Sequence, residues 1–273
     1  MSFSGRVSVV TGAASGIGRA LALELAERGS DLAVCDIDEA ALAETASLIE
    51  RRGRRVTCAR VDVASREEVE AFRDRVLAER GRVDAIVNNA GVAVSETVAD
   101  LTYEDLEWIM GINFWGVVYG TKAYLPHLLA QGDGWVVNVS SVFGLIGVAY
   151  QGAYNATKFA VRGFTEALRQ ELRGTGVTSL SVHPGGIKTN IARSARMRAN
   201  ADGVDAQTAA ARFDRIARTT PEQAAKVITD AMAARKDRVL VGPDAYLIDA
   251  VQRTLPVGYG KLFGFLEERL RKP

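Results

Sequence analysis

Apolar residues fall along this chain in short unbroken runs rather than in strict alternation with polar ones. The runs are RVSVVTG (6–12), DLAVCD (31–36), RVTCARVD (55–62), DAIVNN (84–89), WVVNVSS (135–141), TSLSVHP (178–184) and RVLVG (238–242). Such runs predict parallel strands covered on both faces. Between them lie amphipathic stretches rich in Ala, Glu and Arg, among them 17–29, 38–52, 66–80, 103–131 and 153–173, which predict helices. Several close on a glycine, at Gly29, Gly53, Gly81 and Gly174, the residue that most easily takes the left-handed turn ending a helix.

Strand and helix alternating this often predict an α/β fold with a Rossmann-type, doubly wound parallel sheet and helices on both faces. No linker-like segment and no fixed-period repeat interrupts the pattern, so residues 1–273 read as a single domain. Residues 1–190 carry most of the strand–helix alternation and read as its core. The stretch 189–220 lacks a strand pattern and reads as an insert or lid over a substrate. A C-terminal helix opening on Pro221, a last strand and a tail occupy 221–273.

Composition changes this picture little. The chain is 48% hydrophobic and 25% charged with a formal net charge of +1, which gives no electrostatic case for nucleic acid. Two cysteines, Cys35 and Cys58, make no disulfide framework and read as buried thiols. The start MSFSGRVSVVTG lacks the charged and apolar regions of a signal peptide, and no apolar run approaches a membrane span, so the expected location is the cytoplasm. His127 and His183 have no metal-ligand partners at useful spacing; both read as structural, and no metal is expected.

The first strand runs directly into TGAASGIG (11–18), with Gly12, Gly16 and Gly18 at the strand-to-helix turn and Ser15 and Ile17 between them. Glycines permit a tight turn and close backbone approach, and the helix N-terminus offers free N–H groups to a pyrophosphate. The second strand ends at Asp36, eighteen residues past Gly18. A carboxylate there accepts hydrogen bonds from ribose hydroxyls and repels a 2′-phosphate. Ile37 and Asp38 follow instead of an arginine, which favours NAD over NADP; Arg19 is the one nearby cation that could rescue a phosphate. Asp38 fits better as the cap of the next helix. Asp62 and Val63 end the third strand where an adenine amino group and ring would lie. In NNAG (88–91), which includes Asn89, the pair Ala90–Gly91 leaves room for a planar group.

In AYNATKFAV (153–161), Tyr154 and Lys158 are four residues apart, which stacks them on one helix face. An isolated pair of this kind means little. Here it follows TGAASGIG, Asp36, VDV (61–63), NNAG, INFWG (112–116) and VNVSS (137–141), and precedes HPGGIKT (183–189). In that order the motifs resemble the short-chain dehydrogenase/reductase family over about residues 5–190. The resemblance implies a seven-stranded sheet, an NAD(P)-dependent oxidoreductase acting on CH–OH groups, and a homo-oligomer, a tetramer or dimer, paired through the helices at 103–131 and 153–173.

It also implies a catalytic tetrad of Asn113, Ser141, Tyr154 and Lys158. Hydride transfer to a carbonyl needs a proton donor for the developing alkoxide, and the reverse needs a base. A free phenol, with pKa about 10, is a poor base near neutrality. Lys158 is expected to favour the phenolate and to bond the nicotinamide ribose. Ser141, thirteen residues before Tyr154 as in the family, would orient the substrate oxygen; Ser140 would face the other side of the strand. Asn113 would hold a water linking Lys158 to solvent. Pro184 and Gly185 would shape the nicotinamide wall, with Ile187 and Thr189 holding the carboxamide.

Val142, Phe143, Ile146 and Tyr150 suggest an apolar pocket wall, with Ile191, Met197 and Phe213 as lid contacts. The expected substrate is therefore a small molecule, an apolar secondary alcohol or ketone. The arginines at 193, 196, 198, 212, 215 and 218 read as a solvated face rather than a site for an anionic tail. Two rival readings share the fold: a cofactor-sensing interaction protein, and a different Rossmann enzyme such as a methyltransferase. The first gives no reason to keep the tetrad, and the Tyr–Lys pair argues against the second.

Overall fold

Each of the seven apolar runs becomes a strand in the computed structural model, which describes residues 3–197 and 217–261. They are β1 (Val7–Thr11), β2 (Asp31–Asp36), β3 (Val56–Arg60), β4 (Ala85–Asn88), β5 (Gly134–Val139), β6 (Val177–Pro184) and β7 (Arg238–Val241). One sheet holds them in the order β3-β2-β1-β4-β5-β6-β7, with every neighbouring pair parallel. Strand order reverses direction at β1, so a crevice opens beyond the carboxyl ends of β1 and β4, where ligands of such sheets bind.

The helices are α1 (Gly16–Glu27), α2 (Glu39–Glu50), α3 (Arg66–Arg80), α4 (Tyr103–Met110), α5 (Gly116–Gln131), α6 (Gly152–Glu171), α7 (Pro221–Ala233) and α8 (Pro243–Thr254). They cover both faces, which explains the unbroken apolar runs. In β5, Trp135, Val137 and Val139 join the core under α1, α2 and α7, whereas Val136 joins the core under α3, α5 and α6. Asp38 caps α2 by accepting from Ala41 N, as its sequence position predicts, and Ser65 caps α3 through Glu68 N. Thr220 and Gln223 form a reciprocal capping box ahead of α7.

Two elements differ from the sequence expectation. The helix predicted over 103–131 is broken by a π turn at Gly111–Trp115, closed by a bond from Gly116 N to Gly111 O. A Cβ on Gly116 would lie 2.9 Å from Val63 Cγ2, so the helix passes against the end of β3 at a distance only glycine allows. The wider turn directs Asn113 inward, where it is fully buried. The second difference is α8, an ordered helix in what the sequence suggested was tail.

Cys35 is buried, and burial pushes its thiol well above the ordinary range; Cys58 is only half-buried on the edge strand β3. Among the described residues no helix is long and apolar enough to cross a membrane. Phe213, Arg198, Arg212, Arg215 and the last twelve positions of the tail (262–273) lie outside the described residues.

Candidate active site

β1 delivers the chain into the glycine turn, where Gly12 and Gly16 adopt φ of 67° and 54°. A Cβ on Gly18 would stand 2.0 Å from Gly12 O, so α1 begins directly against the turn. Ser15 occupies the N-cap of α1 but makes no side-chain cap bond, which leaves first-turn N–H groups for an anion. Ile17 packs towards the core. Asn89 braces the turn from β4: its Nδ2 donates to Thr11 O (3.0 Å) and Gly12 O (3.2 Å). The N–H groups of Asn89 and Ala90 both reach Thr11 Oγ1. The cradle thus has the shape that a dinucleotide pyrophosphate requires.

Asp36 sits beside it. Its Oδ2 accepts from Ala14 N at 2.9 Å and its Oδ1 from Asp38 N at 3.1 Å, so the carboxylate faces the turn with lone pairs remaining for hydroxyl donors. Arg19 turns the other way, onto Ala41 O (2.8 Å) and Glu44 (3.2 Å) of α2. On the next strand end, Asp62 Oδ1 accepts from Ala64 N at 2.9 Å, and Val63 is buried against Gly116. Both hold the turn into α3 as well as flanking the crevice.

The tetrad candidates converge at the carboxyl ends of β4 and β5. Tyr154 and Lys158 project from the first turns of α6, and the Lys158 ammonium lies 5.6 Å from the Tyr154 ring centre. Ser141, one residue beyond Ser140 at the end of β5, lies near the Tyr154 hydroxyl and favours its ionised form, while its own Oγ accepts from Phe143 N at 3.1 Å. Ser140 faces away and donates to Lys158 O at 2.8 Å. Gly91 lines the same space: a Cβ there would lie 3.3 Å from Asn113 Oδ1 and 3.5 Å from Lys158 Nζ.

One expectation needs correction. Lys158 was expected to draw the Tyr154 phenol down. Instead burial pushes Tyr154 up to about 12, against a smaller opposing effect of Ser141. Burial also brings Lys158 down to about 8. Desolvation disfavours both charged forms, and the Lys158 ammonium is directed to Val139 O at 3.0 Å. The Tyr154 side chain as a whole is half-buried. The Asn113 side chain is engaged by protein, Oδ1 accepting from Val92 N (2.8 Å) and Nδ2 donating to Val92 O (2.9 Å) and Thr157 Oγ1 (3.2 Å). A water relay would have to use its main chain.

Pro184 ends β6, and Gly185, whose N bonds Val241 O, begins the turn that follows. Thr219 bonds Gly186 O and Lys188 N, so the N–H and C=O of Ile187 point the opposite way. Thr189 approaches the glycine turn, with its Cγ2 3.2 Å from where a Gly16 Cβ would be. Sequence reading missed what anchors this segment. Asp244, in the first turn of α8, accepts from Gly186 N at 2.6 Å, and a Cβ on Gly185 would collide with its carboxylate. No motif spacing signals a contact between residues 58 positions apart. Asp244→Ala is expected to raise the dissociation constant for NADH about tenfold, the size of one charge-assisted hydrogen bond. Fluorescence titration measures it, and unchanged affinity would remove Asp244 from the site.

Of the expected pocket wall, Val142 and Ile146 are buried beneath the loop at 4% and 3% exposure and brace it. Phe143 meets the Tyr154 ring edge-on at 6.0 Å, and Tyr150 is half-buried with φ 63°. Tyr154 also touches a small apolar cluster containing Val92, Val94 and Trp108. Arg196 is exposed, and its guanidinium stacks 3.5 Å over Trp108 and pairs with buried Asp105 at 2.9 Å. Its backbone joins Ala93 and Ser95. Tyr259 reaches back across the same loop, its hydroxyl accepting from Gly147 N at 2.9 Å.

The sequence model of the short chain dehydrogenase family matches residues 6–200. The chain is 51% identical over 264 residues to the provisionally named oxidoreductase SadH of Mycobacterium tuberculosis, covering 96% of this chain and 95% of that one. A short-chain dehydrogenase/reductase from Burkholderia phymatum, solved with NAD, superposes with a TM-score of 0.86 at 31% identity, over 96% of this chain and 95% of that chain. An alcohol dehydrogenase from Thermococcus sibiricus, complexed with 5-hydroxy-NADP, gives a TM-score of 0.73 at 26% identity, over 86% and 95%.

Proposed function

Because this chain belongs to the short-chain dehydrogenase family, we propose that it transfers a hydride between NAD and an apolar secondary alcohol or ketone, with Tyr154 as general acid and base. The observation that carries the reading is the gathering of Ser141, Tyr154 and Lys158 at the mouth of the glycine cradle, with the Lys158 ammonium 5.6 Å from the Tyr154 ring centre. The nicotinamide group, when bound, supplies or accepts the hydride. The chain's own residues do the rest. Gly12, Gly16, Gly18 and the start of α1 receive the pyrophosphate, and Asp36 the adenosine ribose. Ser15, Ile17, Asp62, Val63, Asn89, Ala90 and Gly91 complete the walls. Ile187 and Thr189, backed by Pro184 and Gly185, hold the carboxamide. Ser141 orients the substrate oxygen, and Tyr154 gives it a proton or takes one away. Lys158 bonds the nicotinamide ribose and, with the main chain of Asn113, returns the proton to solvent.

Asp36 and the committed Arg19 support NAD over NADP. Phe143, Val94 and Trp108 around Tyr154 support an apolar substrate. Trp115 and Phe159, 47% and 42% exposed on the elements the family pairs, support a homo-oligomer.

The test is a fluorescence titration with NADH and NADPH side by side, followed by a screen of secondary alcohols and ketones. Tight NADH and weak NADPH are expected; binding of neither would end the enzyme reading. The direction of the reaction should also respond to pH. A phenol pushed up to about 12 is protonated at neutrality, the form that reduces a ketone. The phenolate fraction grows tenfold per pH unit below that value, so alcohol oxidation should accelerate from pH 7 to 10 while reduction does not. Initial rates in both directions check this, and oxidation that slows over the same range would assign the proton to another group.

A further inference from the structure

His183 is used by none of the chemistry above, yet it lies directly under it. The ring is fully buried at the end of β6. Its Nδ1 stands 3.2 Å from Ser141 O, and its Nε2 stands 2.9 Å from Ser181 Oγ. A carbonyl only accepts, so Nδ1 must carry the ring proton. Nε2 is then bare and takes the hydrogen of the Ser181 hydroxyl. Ser181, two residues earlier on the same face of β6, therefore fixes the tautomer that reaches Ser141.

Ser141 needs such a hold. The last ladder bond between β5 and β6 joins Ser140 N to Val182 O, so Ser141 lies just past the edge of what the sheet fixes. Its extended backbone, φ −168° and ψ 168°, turns at once into the short helical turn Val142–Gly144. Its carbonyl receives two donors, Gly144 N from that turn and His183 Nδ1 from the neighbouring strand. Only the second ties Ser141 to the sheet.

We infer that His183 is a positioning residue: as a neutral imidazole in its Nδ1–H form, anchored by Ser181, it fixes the Ser141 carbonyl and thereby holds the Ser141 hydroxyl against Tyr154. This rests on the roles given above to Ser141 and Tyr154. The surroundings keep the ring neutral. Burial brings it down to about 4, and the charges of Arg238 and Arg162 oppose protonation more than Glu166 favours it. His183 is therefore not a proton carrier at working pH.

Side-chain shape supplies the test. Asn presents its Nδ2 where His presents Nδ1, so His183→Asn keeps the donor to Ser141 O, whereas His183→Leu fills the space without one. His183→Leu, His183→Asn and Ser141→Ala would be compared for kcat and KM on one ketone reduced by the unaltered protein, and for NADH affinity by fluorescence. His183→Leu is expected to lower kcat about tenfold with NADH affinity within about twofold, and His183→Asn to recover at least half of the original kcat, as expected when one orienting hydrogen bond is removed and restored. Unchanged kcat in His183→Leu, an Asn variant as poor as Leu, or an equal loss of NADH affinity would each overturn the inference. Should the Leu variant not fold, Ser181→Ala removes the tautomer lock alone; a several-fold fall in kcat is expected, and no fall would be fatal. Ser141→Ala separates the two layers of argument. Wild-type turnover in that variant would sink the role of Ser141 itself, whereas its inactivity alongside a fully active His183→Leu would sink only His183.

Discussion

Tyr154→Phe is expected to lower kcat by about 10²–10⁴-fold while leaving NADH affinity within about twofold, because it deletes the one group proposed to exchange a proton with substrate. The change removes a single oxygen. The ring keeps its edge-on contact with Phe143 and its place beside Lys158, so packing is preserved. What is lost is the hydroxyl near Ser141. Ser141 would still hold the substrate oxygen, and the residual rate would measure hydride transfer without a positioned acid. Stopped-flow or steady-state rates alongside a fluorescence titration make the comparison. Near wild-type turnover would remove Tyr154 from proton transfer. A parallel loss of NADH binding would instead mean that the hydroxyl serves the cofactor.

Asp36→Ala should raise the NADH dissociation constant about 10²-fold and affect NADPH far less. Hydrogen bonds to a charged acceptor contribute about 1.5–3 kcal/mol each, and a ribose offers two hydroxyls. For NADPH the same carboxylate is a liability, since it would face a 2′-phosphate; its removal offsets the lost contact. The structure adds a competing explanation, because Asp36 also accepts from Ala14 N within the glycine turn. Equal weakening of both nucleotides would show that Asp36 serves to shape the turn. Asp36→Asn discriminates further, since it retains an acceptor for Ala14 while losing the charge. If charge repulsion sets the preference, the Asn variant narrows the NADH–NADPH gap and keeps the turn intact.

The correction at Tyr154 and Lys158 shows where sequence reasoning reaches its limit. Spacing by four put the two side chains on one helix face, and the helix Gly152–Glu171 places them there. Spacing carries no information about solvent. Desolvation raises the Tyr154 phenol and lowers the Lys158 ammonium, and that depends on how the rest of the fold covers them. Asn113 teaches the same lesson. Its position in INFWG was legible, but the π turn that rotates it inward arises from contact with Val63 and bonding to Val92.

By itself the sequence determined the seven parallel strands, the glycine turn into α1, Asp38 as a helix cap, and the opposite facing of Ser140 and Ser141. These follow from local periodicity, backbone freedom and alternation, which act over a few residues. Tertiary structure alone decided that Asp244 braces Gly186, that Arg196 is clasped by Trp108 and Asp105, and that Tyr259 reaches Gly147. It also brought His183 under Ser141. Each of these contacts joins residues tens of positions apart, and folding alone determines which distant groups share a desolvated site.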